Sequence, residues 1–184
     1  MKHLGTKLLE TDRLILRRFT PHDISAVYNN WASDKRVTKY LTWPTHSDIK
    51  MSEDIVNEWV SSYLDDSFYQ WAIVVKGQKE PVGTISVVNS TSDTVEIGYC
   101  LGFKWWNKGY TSEAFGKIIP YLFNEVEVSY IESKHNVLNP RPGKVMQKCS
   151  LEYIRTDKEA CDTNSGLSDL AVYRISSLNF KNNK

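Results

Sequence analysis

The stretch V-E-I-G-Y-C-L-G-F-K-W-W-N-K-G-Y-T-S-E-A, residues 95–114, changes its hydrophobic period midway, and its reading decides the fold. Val95, Ile97, Tyr99 and Leu101 alternate with Glu96, Gly98 and Cys100, the two-residue repeat of a strand. From Tyr110 onward, Ala114, Ile118 and Leu122 recur at four-residue steps and make one side of a helix. Between the two, Trp105 and Trp106 run into Asn107, Lys108 and Gly109. A strand, a tight turn and a helix start expose unpaired N–H groups to an anion, and the helix dipole adds about half a positive charge. Gly109 lets backbone approach a ligand closely, and Lys108 charges the rim. The plainer reading of the same residues is an ordinary Lys-Gly turn with a tryptophan packing corner.

Outward from this stretch the chain keeps switching period. Three segments rich in β-branched and aromatic residues, 68–75, 81–89 and 94–101, are predicted to form an antiparallel meander with turns at 77–79 and 89–93. Upstream, 13–19 reads as a strand and 22–40 as one or two short helical pieces; Trp43-Pro44-Thr45 reads as a turn. Ile55, Val56, Trp59, Val60 and Tyr63 predict an amphipathic helix over 48–64 with Ser47 as its N-cap. Downstream, Pro120 is expected to kink the central helix or end it early. A strand over 128–133, a short helix over 140–149 and closing strands at 151–156 and 170–178 follow, with a loop over 162–168. The order indicates one α/β domain spanning 8–180 on a mixed, mostly antiparallel sheet flanked by helices, with residues 1–7 and 181–184 as flexible termini.

Bulk properties narrow the function. The chain has 184 residues, enough for one domain with a sizeable core. Lysine plus arginine (23) nearly cancels aspartate plus glutamate (22), so no global field points to nucleic acid or an anionic membrane. A single-strand nucleic-acid binder using the tryptophans and the basic stretch 134–148 fits poorly with that balance. No apolar run approaches the roughly 18 residues of a membrane helix, and Met1–Gly5 lacks a signal-peptide core, so a cytoplasmic location is expected. Cys100, Cys149 and Cys161 are an odd count without zinc-site spacing, which suggests free thiols and no metal.

The motif 95–101 followed by 106–114 resembles the acetyl-CoA signature of the GNAT acyltransferase superfamily and is similar to its ribosomal-protein N-terminal acetyltransferase (RimJ/RimL-like) branch. The resemblance extends in matching order: Thr11–Arg17 resembles the opening strand, Tyr40–Pro44 the early substrate-side segment, Val82–Ile85 the third strand. Asn139 with Val145–Lys148 is similar to a later motif. It implies acetyl-CoA as co-substrate, held by Cys100, Leu101, Gly102 and Asn139 and by the turn Trp106, Asn107, Lys108, Gly109, Tyr110 and Thr111. It also implies an amine acceptor, a protein N-terminus or a small molecule, walled by Trp31, Tyr40 and Trp43; a homodimer is compatible with it. Departures occur at Trp106, where the family has glutamine or arginine, at Asn107 for glycine, Pro142 for serine and Ser150 for glycine. Asparagine tolerates positive φ, so Asn107 is still expected to make the turn.

Acetyl transfer to an amine requires a polarised thioester carbonyl, a neutral amine and a protonated leaving thiolate. A backbone N–H near Cys100–Leu101 is expected to serve the first. Glu96 is the first candidate base, because it interrupts the apolar strand; its alternative is a glutamate on a solvent face. Glu132 is the second, by resemblance to the family's use of a carboxylate on the following strand. The tyrosine that often protonates the thiolate in related enzymes corresponds to Met146 here, leaving Cys149, Tyr153 or water, while His135 reads either as a loop histidine or as a site residue. Trp106, Pro142 and Met146 also sustain a second function, a domain that holds CoA but has lost turnover.

Overall fold

A computed structural model describes residues 1–182. Eight strands form one sheet in the order β1-β2-β3-β4-β5-β6-β8-β7. They are β1 (Leu9–Glu10), β2 (Leu14–Arg17), β3 (Gln70–Val75), β4 (Pro81–Ser90), β5 (Thr94–Leu101), β6 (Tyr130–Asn136), β7 (Glu152–Thr163) and β8 (Gly166–Ser176). Every neighbouring pair is antiparallel except β5–β6, which is parallel. The helices are α1 (Ile24–Val27), α2 (Lys35–Thr38), α3 (Ile49–Ser62), α4 (Tyr110–Tyr121), α5 (Arg141–Lys148) and α6 (Ser177–Asn182). The expected mixed, mostly antiparallel sheet with flanking helices is therefore the observed architecture.

Alternation along the strands sorts the core into two layers. Leu14, Leu16, Trp71, Ile73, Ile85 and Ile97 pack under Phe115 and Ile118 of α4, Leu122 just beyond it and Met146 of α5. On the other face, Ala72 and Val74 meet Val27, Trp31 and Val56 from the α1–α3 side. Burial of these side chains, each worth about 1.5–3 kcal/mol, fixes which face of each strand is inward.

Several local expectations give way to tertiary contacts. Asp48, not Ser47, caps α3, its carboxylate accepting from the Lys50 N–H at 2.8 Å. Pro120 does act as expected: α4 stops at Tyr121, one residue beyond it, and gives way to a wide turn over Leu122–Val126. The expected loop at 162–168 is a tight hairpin, since β7 runs to Thr163 and β8 starts at Gly166, whose φ is 95°. Residues 1–7, expected to be a flexible terminus, are bonded into the domain. The Gly5 N–H donates to Asp66 O at 2.7 Å, Tyr121 donates to Gly5 O at 2.6 Å, and Thr6 is buried. Of the other expected terminus, 181–182 belong to α6, and 183–184 lie outside the described residues.

Candidate active site

The parallel pair β5–β6 holds together only briefly. Thr94, Val95 and Glu96 pair with Tyr130, Ile131 and Glu132, and then the strands part. Ser133 closes the fork by donating its hydroxyl to Ile97 O at 2.7 Å. Beyond it the β6-facing edge of β5 has no strand partner among the described residues. The Gly102 N–H donates to Val82 O on β4, so by alternation the Leu101 peptide faces away from β4 into the gap. Trp106 explains itself here: its indole N–H donates to Leu101 O at 2.7 Å, capping a carbonyl that strand divergence leaves open.

Two cavities meet at this fork. One, of about 410 Å³, lies between the end of β5, the start of α4 and α5. Asn107 and Gly109 both take positive φ, 60° and 78°, to turn the chain into α4. The first helical bond runs from Glu113 N–H to Gly109 O, so the amides of the preceding turn face outward. Arg13 braces the turn. Its guanidinium donates to Lys108 O at 3.0 Å and to Glu113 at 2.6 Å, and Glu113 also accepts from Thr11 at 2.5 Å. Arg141, Lys144 and Lys148 on α5 line the opposite wall, with the Arg141 guanidinium 4.9 Å from the Trp106 ring centre. A cavity with outward amides on one side and three cations on the other fits a diphosphate-bearing ligand.

The second cavity, about 660 Å³, opens on the other side of the fork. Its walls come from α1–α3 and the 40–46 segment, which are apolar and aromatic, and from β5 and β6, which carry the charge. Glu96 and Lys134 are the only carboxylate and ammonium side chains among its described lining residues, and they pair at 2.8 Å. His46 lies against Trp43 and bonds Ser52 at 2.7 Å; burial pushes its pKa down. The β7–β8 turn is tied to the segment bordering this cavity. The Asn164 amide donates to Thr38 O at 2.9 Å and to Trp43 O at 2.8 Å, and its N–H donates to Leu41 O at 3.1 Å.

The predicted residues divide between the two cavities, with Cys100 and Asn139 lining both. Cys100, Leu101, Trp106, Asn107, Gly109, Tyr110, Thr111 and Asn139 line the first cavity. Gly102 and Lys108 do not. Gly102 is buried where a Cβ would sit 2.3 Å from Asn30 O, so its role is close packing; Lys108 points to solvent and gives its carbonyl to Arg13. Tyr40, Trp43 and Trp31 line the second cavity, but Trp31 is 1% exposed and packs on Phe19 as core. Glu96 lines the second cavity, whereas Glu132 is buried against Arg174, whose Nε donates to it at 2.8 Å, and borders neither cavity. Cys149 and Tyr153 also lie outside both: Cys149 donates to Ser112 O, its thiol pushed up to about 11 by burial, and Tyr153 is exposed beside Thr156. His135 is no loop residue; it sits in β6, tilted against Tyr173. Sequence reasoning missed Arg141, Lys144 and Lys148, although their helical spacing was a readable signal.

The sequence profile of the acetyltransferase (GNAT) domain matches residues 13–152. This chain belongs to the GNAT acetyltransferase family. Its members are acetyl-CoA-dependent acyltransferases, and the chain shares that activity class. Among its relatives is the uncharacterized N-acetyltransferase p20 of Bacillus licheniformis, 31% identical over 146 residues, covering 78% of this chain and 82% of the relative. A GNAT acetyltransferase of Bacillus anthracis superposes with a TM-score of 0.83 at 24% identity, covering 94% of this chain and 99% of that one. The ribosomal-protein α-N-acetyltransferase RimL, in complex with coenzyme A, superposes with a TM-score of 0.81 at 16% identity, covering 92% and 98%. These superpositions establish a shared fold. Among the described residues no helix is long and apolar enough to cross a membrane, and no cluster of metal-ligating side chains occurs.

Proposed function

We propose that this chain is an N-acetyltransferase that moves the acetyl group of acetyl-CoA to a primary amine by direct attack in a ternary complex. The observation that carries this reading is the junction of the two cavities. Tyr99, Cys100, Asn139 and Pro142 line both, so two substrates entering from opposite sides meet beside the open edge of β5.

Acetyl-CoA supplies the activated acetyl group. The α4 amides and Arg141, Lys144 and Lys148 hold its diphosphate, and the Leu101 N–H, aimed into the gap, polarises the thioester carbonyl. Glu96 takes the proton of the attacking ammonium from the acceptor side. The amine nitrogen then bonds the carbonyl carbon as the C–S bond breaks. Water relays the second nitrogen proton to the departing thiolate, leaving a neutral amide and the free thiol, because Met146 is fully buried and carries no donor. The protein acts in the cytoplasm on this reading.

The test measures thiol release from acetyl-CoA against an amine panel. Acetylation of at least one amine, lost in Glu96→Gln with acetyl-CoA affinity retained, is expected. Cofactor binding without thiol release on any amine would mean a CoA-holding domain without turnover.

A further inference from the structure

We infer that the acceptor is a free α-amino acid with an apolar or aromatic side chain, rather than a peptide N-terminus. This inference rests on the N-acetyltransferase reading above and names the substrate class of its second cavity.

The first ground is charge. The cavity wall presents one carboxylate and one ammonium side by side, Glu96 and Lys134 at 2.8 Å, with side chains only 20% and 24% exposed. An amino acid carries the same two charges on one carbon. Its ammonium faces Glu96, where the proton must be lost, and its carboxylate then falls beside Lys134. A four-charge arrangement of alternating sign leaves none of these half-buried groups uncompensated. A simple amine or a peptide N-terminus supplies only the positive partner. It would compete with Lys134 for Glu96 and leave the lysine without a counter-charge in a partly desolvated wall.

The second ground is the rest of the lining. Opposite the charged strands, Trp43, Met51, Ile55 and Trp59 make an apolar wall suited to a side chain and offering nothing to a peptide backbone. Neutral His46 adds no charge there, since burial lowers its pKa.

The third ground is shape. Asn164 at the β7–β8 turn makes three hydrogen bonds to the backbone of residues 38–43, tying the hairpin to the segment that borders the cavity. With its 38–43 border held in place in this way, the cavity has a fixed outline, and a single amino acid fits inside its roughly 660 Å³.

The experiment compares L-phenylalanine and L-methionine with their amides, their decarboxylated amines and a tripeptide beginning with the same residue. Two readouts are taken: thiol release, and calorimetric binding in the presence of desulfo-CoA, a non-reactive carrier. The free acids are expected to exceed the amides by tenfold or more in kcat/KM and in affinity. In Lys134→Met the acid-to-amide ratio falls to about one, while Lys134→Arg restores most of it. That ratio cancels any effect of the substitution on Glu96 itself, and a merely structural lysine would leave it unchanged. Equal handling of acids and amides, or preference for the tripeptide, overturns the inference and leaves the acetyltransferase reading standing. Selective binding of the acids without thiol release on any amine supports the inference about the cavity and defeats the reading of turnover.

Discussion

The two cavities that meet at the β5–β6 fork are built in opposite ways. The carrier side comes largely from one contiguous run, Tyr99 to Ser112, completed by α5, and it sets outward amides at the start of α4 against three cationic side chains. The acceptor side draws on α1, the 37–46 segment, α3, both diverging strands and the β7–β8 hairpin, and its lining is mostly side chains. A site made of main chain and turn geometry tolerates change in side-chain identity, as Trp106 and Asn107 illustrate. A site made of assembled side chains changes its preference with each of them. One cavity can therefore keep a common co-substrate while the other diverges.

This contrast can be broken at its sharpest point by Glu96→Gln. Turnover at saturating amine is expected to fall by about 10²–10⁴-fold, while acetyl-CoA affinity by calorimetry changes less than about twofold. An equal loss in both would mean that Glu96 serves the carrier side. The converse substitution, Gly109→Val, forces a β-branched residue to φ 78° and is expected to weaken acetyl-CoA binding by about tenfold or more. Acceptor selectivity should be unaffected. Unchanged calorimetric affinity would show that the turn does not hold the carrier.

Smaller effects sharpen the same division. Arg141→Ala is expected to weaken acetyl-CoA binding by about three- to tenfold, with the loss shrinking as salt is raised, because its partner is an anion at an accessible rim. Asn164→Ala should raise the acceptor KM by a few-fold and leave the carrier's affinity alone, since the two side-chain bonds it removes both lie on the acceptor side. Last, the frame of that side has a pH signature. Burial opposes ionisation of Asp23, but hydrogen bonds from Arg17 at 2.8 Å and from Thr20 outweigh it and hold the carboxyl below 3.8. A lowered folded-state pKa stabilises the protein above the unfolded value, and that contribution disappears as pH falls through the folded value. Asp23→Asn should therefore lower Tm by a few degrees at pH 7, and the gap from the parent should close in strongly acidic buffer.

Much of this molecule was legible along the chain. Alternation over 94–101 and four-residue spacing from Tyr110 gave the strand–turn–helix unit, and asparagine's tolerance of positive φ correctly anticipated Asn107 at 60°. Residues 1–7 and the 162–168 segment were misread for one reason. Thr6, Gly5 and Asn164 look like linker residues locally, and they become structural only by bonding to chain more than 60 residues away. Glu96 and Glu132 show the same limit. Both are glutamates in strands, adjacent in register, and their difference is the cation each meets, Lys134 in a cavity wall or Arg174 at a buried pair.

What the sequence determined by itself was therefore whatever depends on backbone propensity and short-range period, the order of the main elements and an anion-binding turn into α4, while the class of carrier came from the motif's resemblance to a family. Only the tertiary structure decided where β5 and β6 part, which carboxylate faces the acceptor, that Trp106 caps a carbonyl, and that α5 supplies the missing positive charge. Those outcomes are set by contacts between residues far apart in the chain, whose energies depend on distance and desolvation, and neither quantity is written in local spacing.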